Sequence, residues 1–157
     1  MIDQISAFFT IEMIYLWLNI SVIPFWFILI FFPQSKICGL LVTSIFPFIV
    51  LGSIYIYLVY YFFNDGFNFI ENFQLYLGIY NLANLFENEA FLILIWTHFL
   101  AINLFCAAWI VRDSQKYLMS KYINLIPLLI TYFVGPVGIV VYWIIRIFFA
   151  KKISLFD

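Results

Sequence analysis

Residues 96–113 hold the strongest candidates for chemistry. They read W-T-H-F-L-A-I-N-L-F-C-A-A-W-I-V-R-D and place the only histidine of the chain, His98, and an asparagine, Asn103, in an otherwise apolar stretch. A histidine inside a lipid-spanning helix costs free energy unless it faces a partner, a cavity or a ligand. Because imidazole exchanges protons near neutral pH, His98 is the candidate catalytic residue for proton transfer. The alternative is a structural hydrogen bond between helices.

The spacing of the polar residues predicts one inward face. Trp96 and Asn103 are seven residues apart, which places them nearly on one line along a helix. In an earlier apolar segment, Asn19 would lie about 10 Å in from Glu12, at a depth close to that of His98. The predicted polar or ligand-binding layer comprises Asn19, Trp96, Asn103 and Thr131 beside His98. This layer lacks a carboxylate, so the sequence gives no support to hydrolysis by paired carboxylates, a catalytic triad or zinc.

Two prolines interrupt the last apolar stretch, whose residues 126–138 read I-P-L-L-I-T-Y-F-V-G-P-V-G. Pro136 lacks the N–H that would bond the carbonyl of Tyr132. A carbonyl freed in lipid is tolerated only where protein or a cavity supplies a partner, so we expect the kink at Gly135 and Pro136 to face the interior. Thr131 and Gly135 also form a small-residue surface, and close helix packing is the favoured interpretation of it.

The Arg112-Asp113 pair at the end of residues 96–113 is predicted to lie at a different depth in the membrane from His98. Arg112 lies about 21 Å beyond His98 along a helix, so the two residues cannot form one active site. We interpret Trp109, Arg112 and Asp113 as an interfacial anchor rather than as a recognition site.

Composition identifies lipid as the solvent. The chain of 157 residues is 67% hydrophobic and 10% charged, with a mean hydropathy of +1.11. A net charge of −1 sets nucleic acid aside as a partner. Cys38 and Cys106 lack metal-ligand or CxxC spacing, and we predict no disulfide, metal site or cofactor. The first residues include Asp3 and Glu12 but no cation, so we expect no cleaved signal peptide.

Four stretches are long and apolar enough to cross a bilayer, and their backbone polar groups require helices. We predict an all-α fold, a four-helix transmembrane bundle in a single membrane domain that covers residues 1–157. The predicted helices are residues 13–32, 37–63, 90–111 and 122–149. Residues 67–88 are too polar to cross but carry apolar residues at helical spacing, which predicts an interfacial amphipathic segment between helices two and three.

Four crossings would place both termini on one side of an integral, multi-pass membrane protein. That side would hold two loop cations, Lys151 and Lys152, and the other side would hold four. The positive-inside rule then predicts that the loops with Lys36 and with residues 112–121 are cytoplasmic, or stromal in a plastid.

Two of these motifs resemble the abscisic-acid-deficient-four-like family, whose plant members are plastid proteins required to make neoxanthin from violaxanthin. Residues 96–113 are similar to the family's W-x-H-x-L-A-x-D-L segment, which continues to W-I-x-R-D. Residues 126–138 are similar to its L-P-x-L-x-L-T-x-x-x-G-P-x-G. Pro24, Trp26 and Pro33 match a Pro-x-Trp followed by a second proline. One position departs, because the Asp of the family's third helix is Asn103 here and an amide takes up no proton.

The resemblance implies an integral membrane protein that acts on a xanthophyll. Conversion of a 5,6-epoxide to an allenic alcohol needs one proton delivered to the epoxide oxygen and one removed from the neighbouring polyene carbon. His98 is the candidate residue for either proton transfer, and the protein would then be an isomerase-type enzyme. The alternative is a non-catalytic protein that binds carotenoid, quinone or membrane lipid, or that scaffolds a partner. A transporter is disfavoured, because the chain lacks a pair of broken helices in corresponding halves.

Overall fold

A computed structural model describes residues 10–68, 70, 73 and 76–151. The expectations that involve Asp3 and Lys152 lie outside these residues. The described chain is helical throughout, with no strand. Its elements are α1 (Ile11–Phe31), a π-helix (Cys38–Val42), α2 (Phe46–Asn64), α3 (Ile79–Phe86), α4 (Glu89–Lys116), α5 (Lys121–Phe133) and α6 (Gly135–Ala150).

Three helical stretches have the length and apolar composition needed to cross a membrane. They are Ile11–Phe31, Cys38–Asn64 and Glu89–Lys116, and each begins within two residues of its predicted start. The all-helical fold is therefore confirmed for the described residues, and three of its helical stretches are candidate membrane spans. The third stretch runs five residues further than predicted, to Lys116, and α6 is apolar but shorter than these three.

The predicted single helix over residues 122–149 is wrong, because the chain breaks into α5 and α6 at Val134. This residue has φ −143° and ψ 84°, which is outside the helical region. Pro136 stands at the start of α6, where a missing N–H costs nothing because the first helical N–H groups have no partner within the helix. The proline therefore begins a new helix instead of kinking an old one.

The helices α5 and α6 fold back on each other as a hairpin. In a straight helix Lys121 and Arg146 would lie about 37 Å apart, yet Arg146 Nη2 is 2.9 Å from the hydroxyl of Tyr117, four residues before Lys121. Near the turn, Gly138 lies against the backbone of Thr131, where an added Cβ would stand 2.6 Å from the nitrogen. Only glycine permits this approach.

The chain divides into two compact units. The first unit comprises Met1–Ser21 and Phe48–Leu100, and the second comprises Val22–Pro47 and Ala101–Asp157. In the second unit the C-terminal half of α4 buries a dense set of small and branched residues: Leu104, Ala107, Ala108, Ile110 and Val111. The same half of α4 contacts the α5–α6 hairpin through Asn103, Trp109 and Asp113.

The segment predicted to lie at the interface is described only in part. Its ordered element is α3, eight residues long, which buries Leu85 and exposes Ile79 and Tyr80. Gly78 precedes α3 with a φ of 148°, a conformation that favours glycine. The helix is amphipathic as predicted, and its position at an interface stays a prediction.

Candidate functional site

Asn103 joins α4 to the turn of the hairpin. Its side chain is buried, and its Nδ2 donates to the carbonyl oxygen of Tyr132 at 3.3 Å. This is the carbonyl that the sequence predicts to be left free by Pro136, and it has a protein partner as expected. A Cβ on Gly135 would overlap the amide of Asn103 and lie 3.3 Å from its Cγ, so the glycine makes room for this bond.

Thr131 serves the packing of the same turn. It is fully buried. Its hydroxyl donates to the carbonyl of Pro127, one turn earlier in the same helix, at 2.7 Å. Its backbone contacts Gly138, as described above. The side chain of Asn103 therefore satisfies a carbonyl in the last turn of α5, whereas Thr131 bonds a carbonyl of its own helix.

A buried ion pair holds the base of the hairpin. Arg146 Nε lies 2.7 Å from Asp113 Oδ2, and the two residues are 1% and 4% exposed. The hydroxyl of Tyr142 donates to the same Oδ2 at 2.7 Å. The guanidinium also lies over the rings of Tyr117 and Trp143, each with its centroid 4.8 Å away. A buried charge needs such a complete set of partners, because an isolated one costs several kcal/mol.

The structure thus gives Trp109 and Asp113 interior neighbours, whereas Arg112 is exposed. Trp109 stacks on Trp143, with ring centroids 6.0 Å apart, and meets the edge of Tyr142. Sequence reasoning paired Asp113 with its neighbour Arg112 and missed Arg146. A signal was available, because Arg146 is the only charged residue of α6, and an ionisable residue within an apolar helix implies a buried partner.

The predicted polar layer is divided between the two units. Asn103, Thr131, Gly135 and Pro136 belong to the second unit, whereas Asn19, Trp96 and His98 belong to the first. Asn19 donates to Tyr15 O, one turn back on its own helix, at 2.7 Å. His98 is exposed and makes no hydrogen bond or ion pair with the described residues.

The first unit contains a half-open groove between the first turns of α1 and α4. Its volume is about 500 Å³, within the usual range for small-molecule sites. Tyr15 and Trp96 line it with rings whose centroids are 5.6 Å apart and whose planes are inclined at 44°. The full lining is Ile11, Glu12, Tyr15, Glu89, Leu92, Ile93 and Trp96.

The polar groups of the groove are few. Glu12 and Glu89 stand in the first turns of their helices, where the helix dipole favours a negative charge. Trp96 Nε1 is buried and lacks a hydrogen-bond partner among the described residues, and a buried unpaired N–H costs about 1–3 kcal/mol. The groove thus combines an aromatic wall, two carboxylates and one unused donor.

His98 lies away from this groove. It follows Trp96 by two residues, which turns it by about 200° around α4. Within the described part of the chain, no three His, Cys, Asp or Glu side chains are grouped to hold a metal ion. Cys38 and Cys106 are free thiols, both buried.

Comparison with known proteins places these features in a family. The model of the family described as ABA DEFICIENT 4-like matches residues 13–142. The chain is 27% identical over 105 residues to the protein ABA DEFICIENT 4, chloroplastic, of Arabidopsis thaliana, which covers 61% of this chain and 44% of that protein. The chain thus spans less than half the length of this curated relative. No solved structure matches.

Proposed function

Because the chain belongs to the ABA DEFICIENT 4-like family, we propose that it is a neoxanthin synthase-like membrane protein that binds a xanthophyll and opens its 5,6-epoxide. The observation that carries this proposal is the groove between the first turns of α1 and α4. It is apolar along its wall and carries two carboxylates at the helix starts, which matches a ligand that is a long hydrocarbon with an oxygenated ring.

The aromatic wall fits the apolar part of such a ligand. Tyr15 is 46% exposed and Leu92 is 46% exposed, whereas Ile93 beside them is buried. The groove therefore has a buried base and one exposed side, its open flank. A polyene dissolved in lipid can enter through such a flank without crossing water, and its flat surface packs on the rings of Tyr15 and Trp96.

The polar groups of the groove favour one of the ligand classes that the sequence leaves as alternatives, which are carotenoids, quinones and membrane lipids. The carboxylates of Glu12 and Glu89 accept hydrogen bonds, so they favour a ligand that carries hydroxyl donors. The N–H of Trp96 donates, and an epoxide oxygen accepts. A quinone offers only carbonyl acceptors, and a hydrocarbon carotene offers neither group, so a hydroxylated epoxide uses the groove more fully than they do.

The proposed reaction is an isomerisation. A protonated carboxylic acid delivers its proton to the epoxide oxygen as the C–O bond breaks, and an ionised carboxylate removes a proton from the neighbouring polyene carbon. The electron pair of that C–H bond forms the new double bond of the allene, and no other reactant is needed. Two carboxyl groups at one site commonly divide into one acid and one base in this way, and Glu12 and Glu89 are our candidates.

The test is pigment analysis in bacteria that are engineered to make violaxanthin. Cells with the wild-type chain are expected to accumulate a product of equal mass with an allenic ring, and the purified protein is expected to retain xanthophyll but not β-carotene. Glu89→Gln is expected to retain pigment without conversion. An unchanged pigment profile together with no retained xanthophyll would contradict the proposal.

A second candidate function is binding without catalysis, and one observation favours it. The polar side chains of Asn103 and Thr131 are committed to backbone carbonyls, so these two residues of the predicted polar layer serve the packing of the second unit. On this alternative the purified wild-type protein carries unaltered violaxanthin. Since the curated relative is named as chloroplastic, we place the protein in a plastid-type membrane in either case.

A further inference from the structure

The charges of the chain are sorted between the two units. All described cations belong to the second unit: Lys36, Arg112, Lys116, Lys121, Arg146 and Lys151. The described acidic residues of the first unit are Glu12, Asp65, Glu87 and Glu89, and it has no described cation. Asp113, in the second unit, is neutralised by Arg146. Such sorting in an apolar chain bears on how the chain sits in a bilayer.

The loop after α1 and the end of α4 lie together. The side-chain amide of Gln115 donates to the carbonyl of Pro33 at 2.7 Å, which places the loop that carries Lys36 beside the last turn of α4. The connectivity agrees, because two candidate spans, Cys38–Asn64 and Glu89–Lys116, separate Pro33 from the end of α4. Two crossings of the membrane bring the end of α4 back to the side on which Pro33 lies.

The α5–α6 hairpin begins and ends at this same level. The contacts that α6 makes with α4 are in order, since Gly135 lies at Asn103 and Arg146 lies at Asp113. Hence α6 runs in the same direction as α4 and α5 runs against it. A hydrocarbon core of about 30 Å needs roughly 20 helical residues, and α5 and α6 have 13 and 16.

The turn of the hairpin satisfies its own backbone, as a turn at membrane depth must. The carbonyl of Tyr132 accepts from Asn103, and the carbonyl of Val134 accepts from the N–H groups of Val137 and Gly138, both at 3.1 Å. These bonds satisfy two carbonyls of the turn within the protein.

We infer that α5 and α6 form a re-entrant hairpin that enters and leaves the bilayer from one side. The chain then crosses three times, and Lys121 and Lys151 join Lys36, Arg112 and Lys116 on one face. Four crossings would divide the loop cations between the faces, whereas three crossings collect them. This cationic rim meets the anionic headgroups of the cytoplasmic or stromal leaflet and fixes the orientation of the protein.

Single cysteines test this topology. In a background with Cys38→Ala and Cys106→Ala, the variants Thr10→Cys, Lys36→Cys and Lys151→Cys are labelled with a membrane-impermeant maleimide in sealed vesicles of known orientation. We expect Lys151→Cys to react from the same side as Lys36→Cys, and Thr10→Cys from the other. Reaction of Lys151→Cys from the side of Thr10→Cys would overturn the inference.

Two further measurements do not require the Cys38→Ala/Cys106→Ala background, so they test the inference even where that variant fails to fold. A fluorescent or phosphatase reporter at the C-terminus of the unaltered full chain reads the side of that end directly, and the inference requires fluorescence in the cytoplasm and no phosphatase activity outside. The double variant Lys121→Gln/Lys151→Gln is expected to raise the fraction of inverted molecules several-fold, whereas Asp65→Asn/Glu87→Gln, which also removes two charges, is not. Equal orientation of both variants would contradict the role of the rim.

Discussion

The side-chain amide of Asn103 donates to the carbonyl of Tyr132, 29 residues away, in the last turn of α5, where carbonyls lack a partner within the helix. One side chain on α4 thus completes the turn between α5 and α6. The family motif has an aspartate at this position, and an acid retains the donor only while it is protonated. Asparagine keeps the donor at every pH, which suits a structural bond.

Replacement of Asn103 by leucine should therefore destabilise the protein. The buried carbonyl of Tyr132 would lose its donor, at a cost of about 1–3 kcal/mol. Thermal unfolding in detergent measures the change. Asn19→Leu is the matched control, because Asn19 bonds a carbonyl of its own helix that already lies within the helical ladder. An equal loss in both variants would show that the bond to Tyr132 has no special role.

The ion pair at the base of the hairpin makes an asymmetric prediction. Arg146→Met should cost about 3–5 kcal/mol, because Asp113 is then left buried and uncompensated. The double variant Asp113→Leu/Arg146→Met should recover most of that loss, as removal of both charges leaves none unpaired. Chemical unfolding of the two variants and of the exposed control Arg112→Gln measures the effect. Additive losses in the double variant would contradict the pairing.

The close approach at Gly138 gives a third prediction. Gly138→Ala places a methyl group against the backbone of Thr131, and we expect a loss of about 1–3 kcal/mol from overpacking. Gly39→Ala is the control, since its Cβ would meet no described atom within 4 Å. A melting temperature that falls for Gly138→Ala and holds for Gly39→Ala confirms the hairpin turn. Equal melting temperatures would mean that α5 and α6 can separate at no cost.

The catalytic role of His98 stays a prediction, and it competes with that of the groove. Because His98 faces away from Trp96 on α4, a ligand in the groove does not reach it. We expect His98→Ala to keep epoxide conversion and folding, and Glu89→Gln to lose at least tenfold in product yield with pigment still bound. The opposite pattern would favour the role that the sequence predicts for the imidazole. Chromatography of cell extracts decides between them.

The sequence alone predicted the parts of the fold that depend on local composition. Hydropathy places the three long spans, and the missing N–H of Pro136 predicts the free carbonyl of Tyr132. It does not distinguish a kinked helix from a hairpin, because the same proline suits either one. The outcome depends on partners far away in the chain. Asp113 and Arg146 are 33 residues apart, and neither the period of a helix nor a motif links them.

The candidate groove was missed for a related reason. Glu12 and Glu89 read as boundary markers of two apolar stretches, and only the approach of the two helix starts makes them neighbours in one cavity. The sequence singles out Trp96 as a member of a polar layer. Its role in the groove depends on Tyr15, 81 residues earlier.

The pairing of Arg146 with Asp113 also sets an order of biogenesis. An arginine in lipid without its counter-charge is costly, so on the inferred topology α6 has no stable position until α4 is in the bilayer with Asp113 facing it. The last two helices are thus expected to wait at the surface during synthesis and to enter together, after translation of residue 146. The insertion machinery would then need to insert only three hydrophobic segments. The α5–α6 hairpin would insert afterwards, by packing against α4.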